Sequence, residues 1–218
     1  KAVTTYLGLA LDKMADYNST LVAWQKGGEK GGRTYTRSAL PIRWDYVESN
    51  PFGEGNTGSW MAALDLLPRA IETASGTLGE SEVNLGDATN LSYPDNHFDA
   101  VLTDPPYYDN VPYAALSDFF YVWLKRSIGD LYPEAFSTPL TPKSSEVIQD
   151  KSKHSPEKDP EEFFEKMLSQ AFSEMSRVLK DDGVTTIVFA HKSSEAWAQM
   201  IRSLLESGLV VTATWPIH

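Results

Sequence analysis

The chain has 218 residues, 41% of them apolar, and a formal net charge of −11, enough to bury one sizeable core in one domain or a domain with an appendage. The acidic balance excludes nucleic-acid binding by bulk electrostatics, so any such contact has to be local. The absence of cysteine excludes disulfides and thiolate metal sites within the chain, and four scattered histidines argue against a metal site. No apolar run reaches the roughly 20 residues of a membrane span. Asp12, Lys13 and Asp16 interrupt the first apolar positions, unlike a signal peptide, and a cytoplasmic protein is expected.

In chain order, Val3, Tyr6, Leu7, Ala10, Leu11, Met14 and Tyr17 recur at helical spacing and predict a packing helix that ends before Gly27 and Gly28. Lys26, Lys30, Arg33, Arg37 and Arg43 follow, interleaved with Trp24 and Tyr35 and spaced by GGEKGG. They read either as a flexible solvated loop or as a local phosphate contact. The stretch lacks the Lys-Ser/Thr ending of a nucleotide-binding P-loop. Residues 33–58 are irregular, and a second helix is predicted from Trp60 to Ala74, kinked at Pro68. The expected organisation is a helical and irregular segment over 1–58 and an α/β portion over 59–218.

From residue 82 the rhythm changes. Glu82–Leu85, Phe98–Thr103, Val184–Ala190 and Leu209–Trp215 read as strands with helices between them. The helix before Val184 is expected to be capped by Asp159, opened by Pro160, and closed by Gly183. Its buried stripe is Phe164, Met167, Leu168, Ala171, Met175, Val178 and Leu179. Ser193 or Ser194 caps a further helix with Trp197, Ile201, Leu204 and Leu205 inward. Alternating strands and helices predict a mostly parallel α/β sheet with ligands at the carboxyl ends of its strands. The polar run over 141–160 reads as a mobile loop beside those ends, or as a lid.

At one such end stands VLTDPPYYDNVPYAALSDFFYVWLKR, residues 101–126. A rigid Asp-Pro-Pro-Tyr turn suits methylation of an exocyclic amine, whose lone pair is delocalised into its ring. Two acceptors, the Asp104 carboxylate and the Pro105 carbonyl, can grip both amine hydrogens and free the lone pair. Pro105 and Pro106 fix φ and remove competing N–H donors. Tyr107 can stack on a base extruded from its duplex. Tyr108, Asp109, Asn110 and Tyr113 extend such a pocket or form a tyrosine-rich turn packed on the next helix. His191 and Lys192 end the strand 184–190 on the same rim and are candidate substrate contacts. Phe119, Phe120, Tyr121 and Trp123 read as core.

DPPY after an apolar strand resembles the catalytic motif of the amino-methyltransferases that use S-adenosylmethionine. NLGDATNL, residues 84–91, resembles the segment that places Asp87 and Ala88 near the cofactor's adenine, with Asp104 also facing the cofactor. With ALPIRWDYVESNPF and FAHKSSEAW, the pattern over about 35–218 is similar to the large adenine-specific DNA methylases that carry a domain of unknown function and a zinc ribbon. The resemblance implies a partial Rossmann-like class I methyltransferase fold, S-adenosylmethionine as cofactor, and DNA with a flipped adenine as substrate. The family's glycine-rich cofactor loop is not visible here. The chain is therefore expected to be the catalytic portion of a longer protein whose upstream part completes the site, and its own sheet to be interrupted. RNA or protein amino groups are alternative substrates, and an inactive nucleic-acid-binding fragment is the alternative from another class.

Overall fold

A computed structural model describes residues 1–35, 42–76, 79–106, 111–144, 146–148 and 160–215. They group into two units, Lys1–Val83 with Tyr113–Lys143, and Asn84–Pro112 with Ser144–His218.

In the first unit, α1 (Ala2–Tyr17) packs on α2 (Trp60–Leu64) and on α4 (Tyr113–Ile128). The helix forms where its periodicity predicts and Ala10 of the predicted stripe is buried, but Gly8 and Asp12 are buried with it while Val3 is 73% exposed. The cause is a close helix crossing, because a Cβ at Gly8 would lie 2.9 Å from the Ile128 side chain. A hairpin follows, β1 (Trp24–Gln25) with β2 (Lys30–Gly31), antiparallel. Beyond it the backbone folds back on α1 through fully buried Thr34, whose N–H and hydroxyl both donate to the Asp16 carbonyl at 2.8 Å.

The helix predicted from Trp60 is two helices, α2 and α3 (Leu66–Ser75), broken at Asp65. Pro68 thereby falls in the first turn of α3, where its missing N–H costs nothing. Ser59 caps α2 by accepting from the Ala62 N–H at 3.2 Å. On α4, Tyr121 is buried and donates to the Thr138 carbonyl at 2.7 Å. Phe119 meets Tyr35 edge-on at 5.8 Å, whereas Trp123 remains 41% exposed.

The second unit is a mixed α/β arrangement around a small parallel sheet. β3 (Phe98–Thr103) pairs with β4 (Leu179–Ile187), with Ala100 opposite Val184 and Thr103 opposite Ile187. Helices α5 (Pro160–Val178) and α6 (Ser194–Glu206) pack together on this sheet. Their core is Phe164, Leu168, Phe172, Met175, Met200 and Leu204, with Val101 and Ile187 reaching it from the strands and Phe189 from just beyond β4. The opposite face carries Leu102 and Val184, 76% and 63% exposed. Successive strand residues point to opposite faces, so one apolar set is buried and the other is bare.

Several expectations are corrected here. Gly183 does not close α5, which ends at Val178 and runs directly into β4. It lies instead in an irregular stretch where β4 advances from Leu179 to Val184 while β3 advances from Phe98 to Ala100. A Cβ on Gly183 would lie 2.7 Å from the Leu179 side chain, so glycine is required for the excursion rather than for a helix stop. Glu82–Leu85 and Leu209–Trp215 form no ladder, and Val83, Leu85 and Val210 are 92%, 87% and 78% exposed. Alternating apolar residues make a strand only where a neighbour supplies the hydrogen bonds. On α6 the buried residues are Ala196, Gln199, Met200, Ser203 and Leu204, whereas Trp197, Ile201 and Leu205 face outward. Small Ala196 and Ser203 allow that face to approach α5. Asp159, the expected cap of α5, and most of 141–160 lie outside the described residues.

Candidate active site

Asp104 leaves β3 at its carboxyl end. The ladder continues one step past the paired strands, the Val188 N–H donating to the Thr103 carbonyl at 2.9 Å, so the backbone just before Asp104 is fixed. Asp104 is exposed, Pro105 is buried and Pro106 is exposed. A carboxylate therefore stands in solvent on a strand tip whose next residue is locked in φ and packed. Tyr107, Tyr108, Asp109 and Asn110 lie outside the described residues.

His191 and Lys192 follow β4 at the same end of the sheet. His191 is half-buried, and its position is set from three sides. Its Nδ1 accepts from the Ser193 N–H at 3.1 Å, its carbonyl accepts from Trp197 Nε1 at 3.0 Å, and its ring stacks on Phe189 at 6.4 Å. With Nδ1 an acceptor, the proton of the neutral ring is on Nε2. Ser193 caps α6, its Oγ accepting from Glu195 N–H at 3.1 Å and Ala196 N–H at 3.4 Å. Lys192 is exposed. Tyr113 is 61% exposed at the start of α4, in the first unit.

Asp87 and Ala88 are exposed on a tight turn that the sequence places ahead of β3. Asp87 Oδ1 accepts from both the N–H and the hydroxyl of Thr89, at 2.8 and 2.7 Å, and the Asp87 carbonyl accepts from Asn90 N–H at 3.0 Å. This is an aspartate turn closing on its own backbone. A Cβ at neighbouring Gly86 would meet no atom within 4 Å, so open space adjoins the turn.

The turn is held by residues that carry no signature in the sequence. One flank of α5 presents Gln170, Glu174 and Arg177 at helical spacing. Gln170 donates to the Thr89 carbonyl at 3.2 Å, and Glu174 accepts from the Leu91 N–H at 2.9 Å. Arg177 donates to the carbonyls of Leu91 and Tyr93, both at 2.9 Å, to Asp95 at 2.7 Å, and to both oxygens of Glu174. Arg177 and the Leu91 N–H hold the Glu174 carboxyl well below the ordinary carboxylate range, at about 2. The clamp spans about 10 Å of helix from Gln170 to Arg177, and it fixes the segment that feeds β3. Its only sequence trace is the i, i+4, i+7 recurrence of long polar side chains beside the apolar stripe.

Fold and site together define a mixed α/β unit with an Asp-Pro-Pro turn at the carboxyl end of a parallel strand. Comparisons with protein-family models, with curated proteins and with solved structures return no match for this chain. Among the described residues, no helix is long and apolar enough to cross a membrane.

Proposed function

We propose that the chain is the catalytic portion of an S-adenosylmethionine-dependent methyltransferase acting on the N6 amine of adenine in DNA, on a partial Rossmann-like scaffold. The observation that carries this reading is the exposed Asp104 carboxylate directly beyond β3, followed by a buried Pro105. The Asp104 carboxylate and the Pro105 carbonyl each accept one hydrogen of the amine and turn its lone pair out of conjugation with the ring. Neither proline offers an N–H that would compete for these acceptors. The carboxylate also stabilises the positive charge that develops on the nitrogen.

When bound, S-adenosylmethionine supplies an electrophilic methyl group on a sulfonium. The residues present suit this group: Asp87 keeps one carboxylate oxygen outside its own turn, and open space adjoins Gly86. Asp87 and Ala88 would hold the adenosine end, and the clamp from α5 would keep their turn from moving. Tyr107 would stack on the flipped base, with Tyr108 and Asn110 beside it in the sequence. His191 and Lys192 would contact the substrate from the neighbouring strand end. Such an enzyme would act on DNA in the cytoplasm.

The test is transfer of a labelled methyl group from S-adenosylmethionine to unmethylated DNA, with the upstream segment of the protein supplied where the isolated chain is silent. Asp104→Ala is expected to abolish transfer. Undiminished transfer by that variant would end the proposed mechanism.

A further inference from the structure

The chain carries −11 overall, yet Trp24–Arg33 holds Lys26, Lys30 and Arg33 against Glu29 alone, a local balance of +2. These residues are built on a fixed base. Val22 and Thr34 are fully buried on either side, Gly32 N–H donates to the Ala23 carbonyl at 2.9 Å, and Val47 N–H donates to the Val22 carbonyl at 3.0 Å. Beyond that base the hairpin stands in solvent. Trp24 is 54% exposed, and Lys26 and Lys30 are exposed. Gly27 and Gly28 form a single helical turn with Lys26, and Glu29 takes a left-handed φ of 46°. The Lys30 methylenes lie within 3.5 Å of where a Gly28 Cβ would be, which holds that side chain against the tip. Neither lysine makes an ion pair among the described residues.

A second exposed indole lies in the segment that is bonded to the base of the hairpin. Trp44 is 101% exposed beside exposed Arg43. It is three residues from Val47, which is bonded to Val22, itself two residues from Trp24. Chain geometry therefore keeps the Cα atoms of Trp24 and Trp44 within about 25 Å of each other. An indole half in water on one face of the hairpin, with ammonium groups at its tip and on its other face, suits a base and the phosphates that flank it, and a charged, ungrooved hairpin offers little to an apolar protein partner.

We propose that the Trp24–Gly31 hairpin grips a single-stranded nucleic acid, Trp24 and Trp44 stacking on bases while Lys26 and Lys30 neutralise phosphates. Glu29 and Asp45 limit the electrostatic part, so binding is dominated by stacking and depends weakly on salt. The inference rests on the hairpin and not on the methyl-transfer reading.

The test is an anisotropy titration of labelled oligothymidylate at low salt, repeated with oligouridylate and with duplex DNA. Binding of either single strand in preference to duplex is expected. Trp24→Ala should weaken it about tenfold and Trp24→Phe much less. Lys26→Gln with Lys30→Gln should lower the slope of log affinity against log salt by about 1.4. Failure of the unaltered protein to bind either single strand, a preference for duplex, or binding indifferent to Trp24→Ala would overturn the proposal.

Discussion

Two carboxylates on helices show how differently the two units treat a buried or half-buried charge. Glu174 on α5 is supplied with donors, the Leu91 N–H and the Arg177 guanidinium, and is held at about 2. Asp12 on α1 is 8% exposed, its Oδ1 has no hydrogen-bond partner, and burial pushes its carboxyl up to about 7. Desolvation disfavours the charged form in both places, and only the presence of donors reverses the outcome. In the second unit a paired charge organises a segment; in the first a carboxyl without a partner at Oδ1 among the described residues holds its proton more tightly than a solvated one.

The largest consequence falls on the first unit. Asp12 binds its proton more tightly folded than unfolded, so its contribution is complete below 3.8 and is lost as pH rises through about 7. Hydrogen exchange in α1, corrected for the intrinsic rise with pH, is expected to quicken between pH 4 and 8 by the equivalent of up to about 4 kcal/mol. Asp12→Asn should flatten that dependence and make α1 more protected at pH 8. An α1 equally protected at both values in the unaltered protein would remove the contrast with Glu174.

The second unit should respond in the opposite sense. Glu174 has a depressed pKa, so its contribution is present above its ordinary 4.5 and fades as pH falls toward 2. Arg177→Met is expected to speed exchange over 89–97 at pH 7 and to weaken S-adenosylmethionine binding in calorimetry, with the difference from the unaltered protein closing in acid. Equal exchange over 89–97 at pH 7 would show that the clamp holds nothing. Gly183→Ala should cost about 1–3 kcal/mol in denaturant unfolding, because its methyl group overlaps Leu179. The smallest effect is Ser193→Ala, which removes the α6 cap at about 1 kcal/mol and loosens the mount of His191.

The helices were legible because a 3.6-residue period survives without knowledge of neighbours. Their buried faces were less so. Gly8, Ala196 and Ser203 decide which side of α1 and α6 approaches another helix, and apolar bulk does not register small residues. Phe98–Thr103 was legible as a strand because it finds β4, while Val83, Leu85 and Val210 show the same alternation without a partner. Gly183 carried a helix-stop signature and serves a strand irregularity instead. At the candidate site, Asp104 at a strand end followed from the run AVLT before it. The α5 clamp did not follow, because Gln170, Glu174 and Arg177 look like any solvated helix flank until the backbone of 89–95 lies beside them.

The central claim is that Asp104 and the Pro105 carbonyl form an acceptor pair for an adenine amine. It is tested most directly by isolating nucleosides from DNA incubated with S-adenosylmethionine and the protein, and comparing Asp104→Asn with Asp104→Ala. The account predicts N6-methyladenine from the unaltered protein, a reduced yield from Asp104→Asn, which keeps one acceptor oxygen, and none from Asp104→Ala. N6-methyladenine at the unaltered rate from Asp104→Ala, or a methylated product other than an amine of adenine, would contradict it.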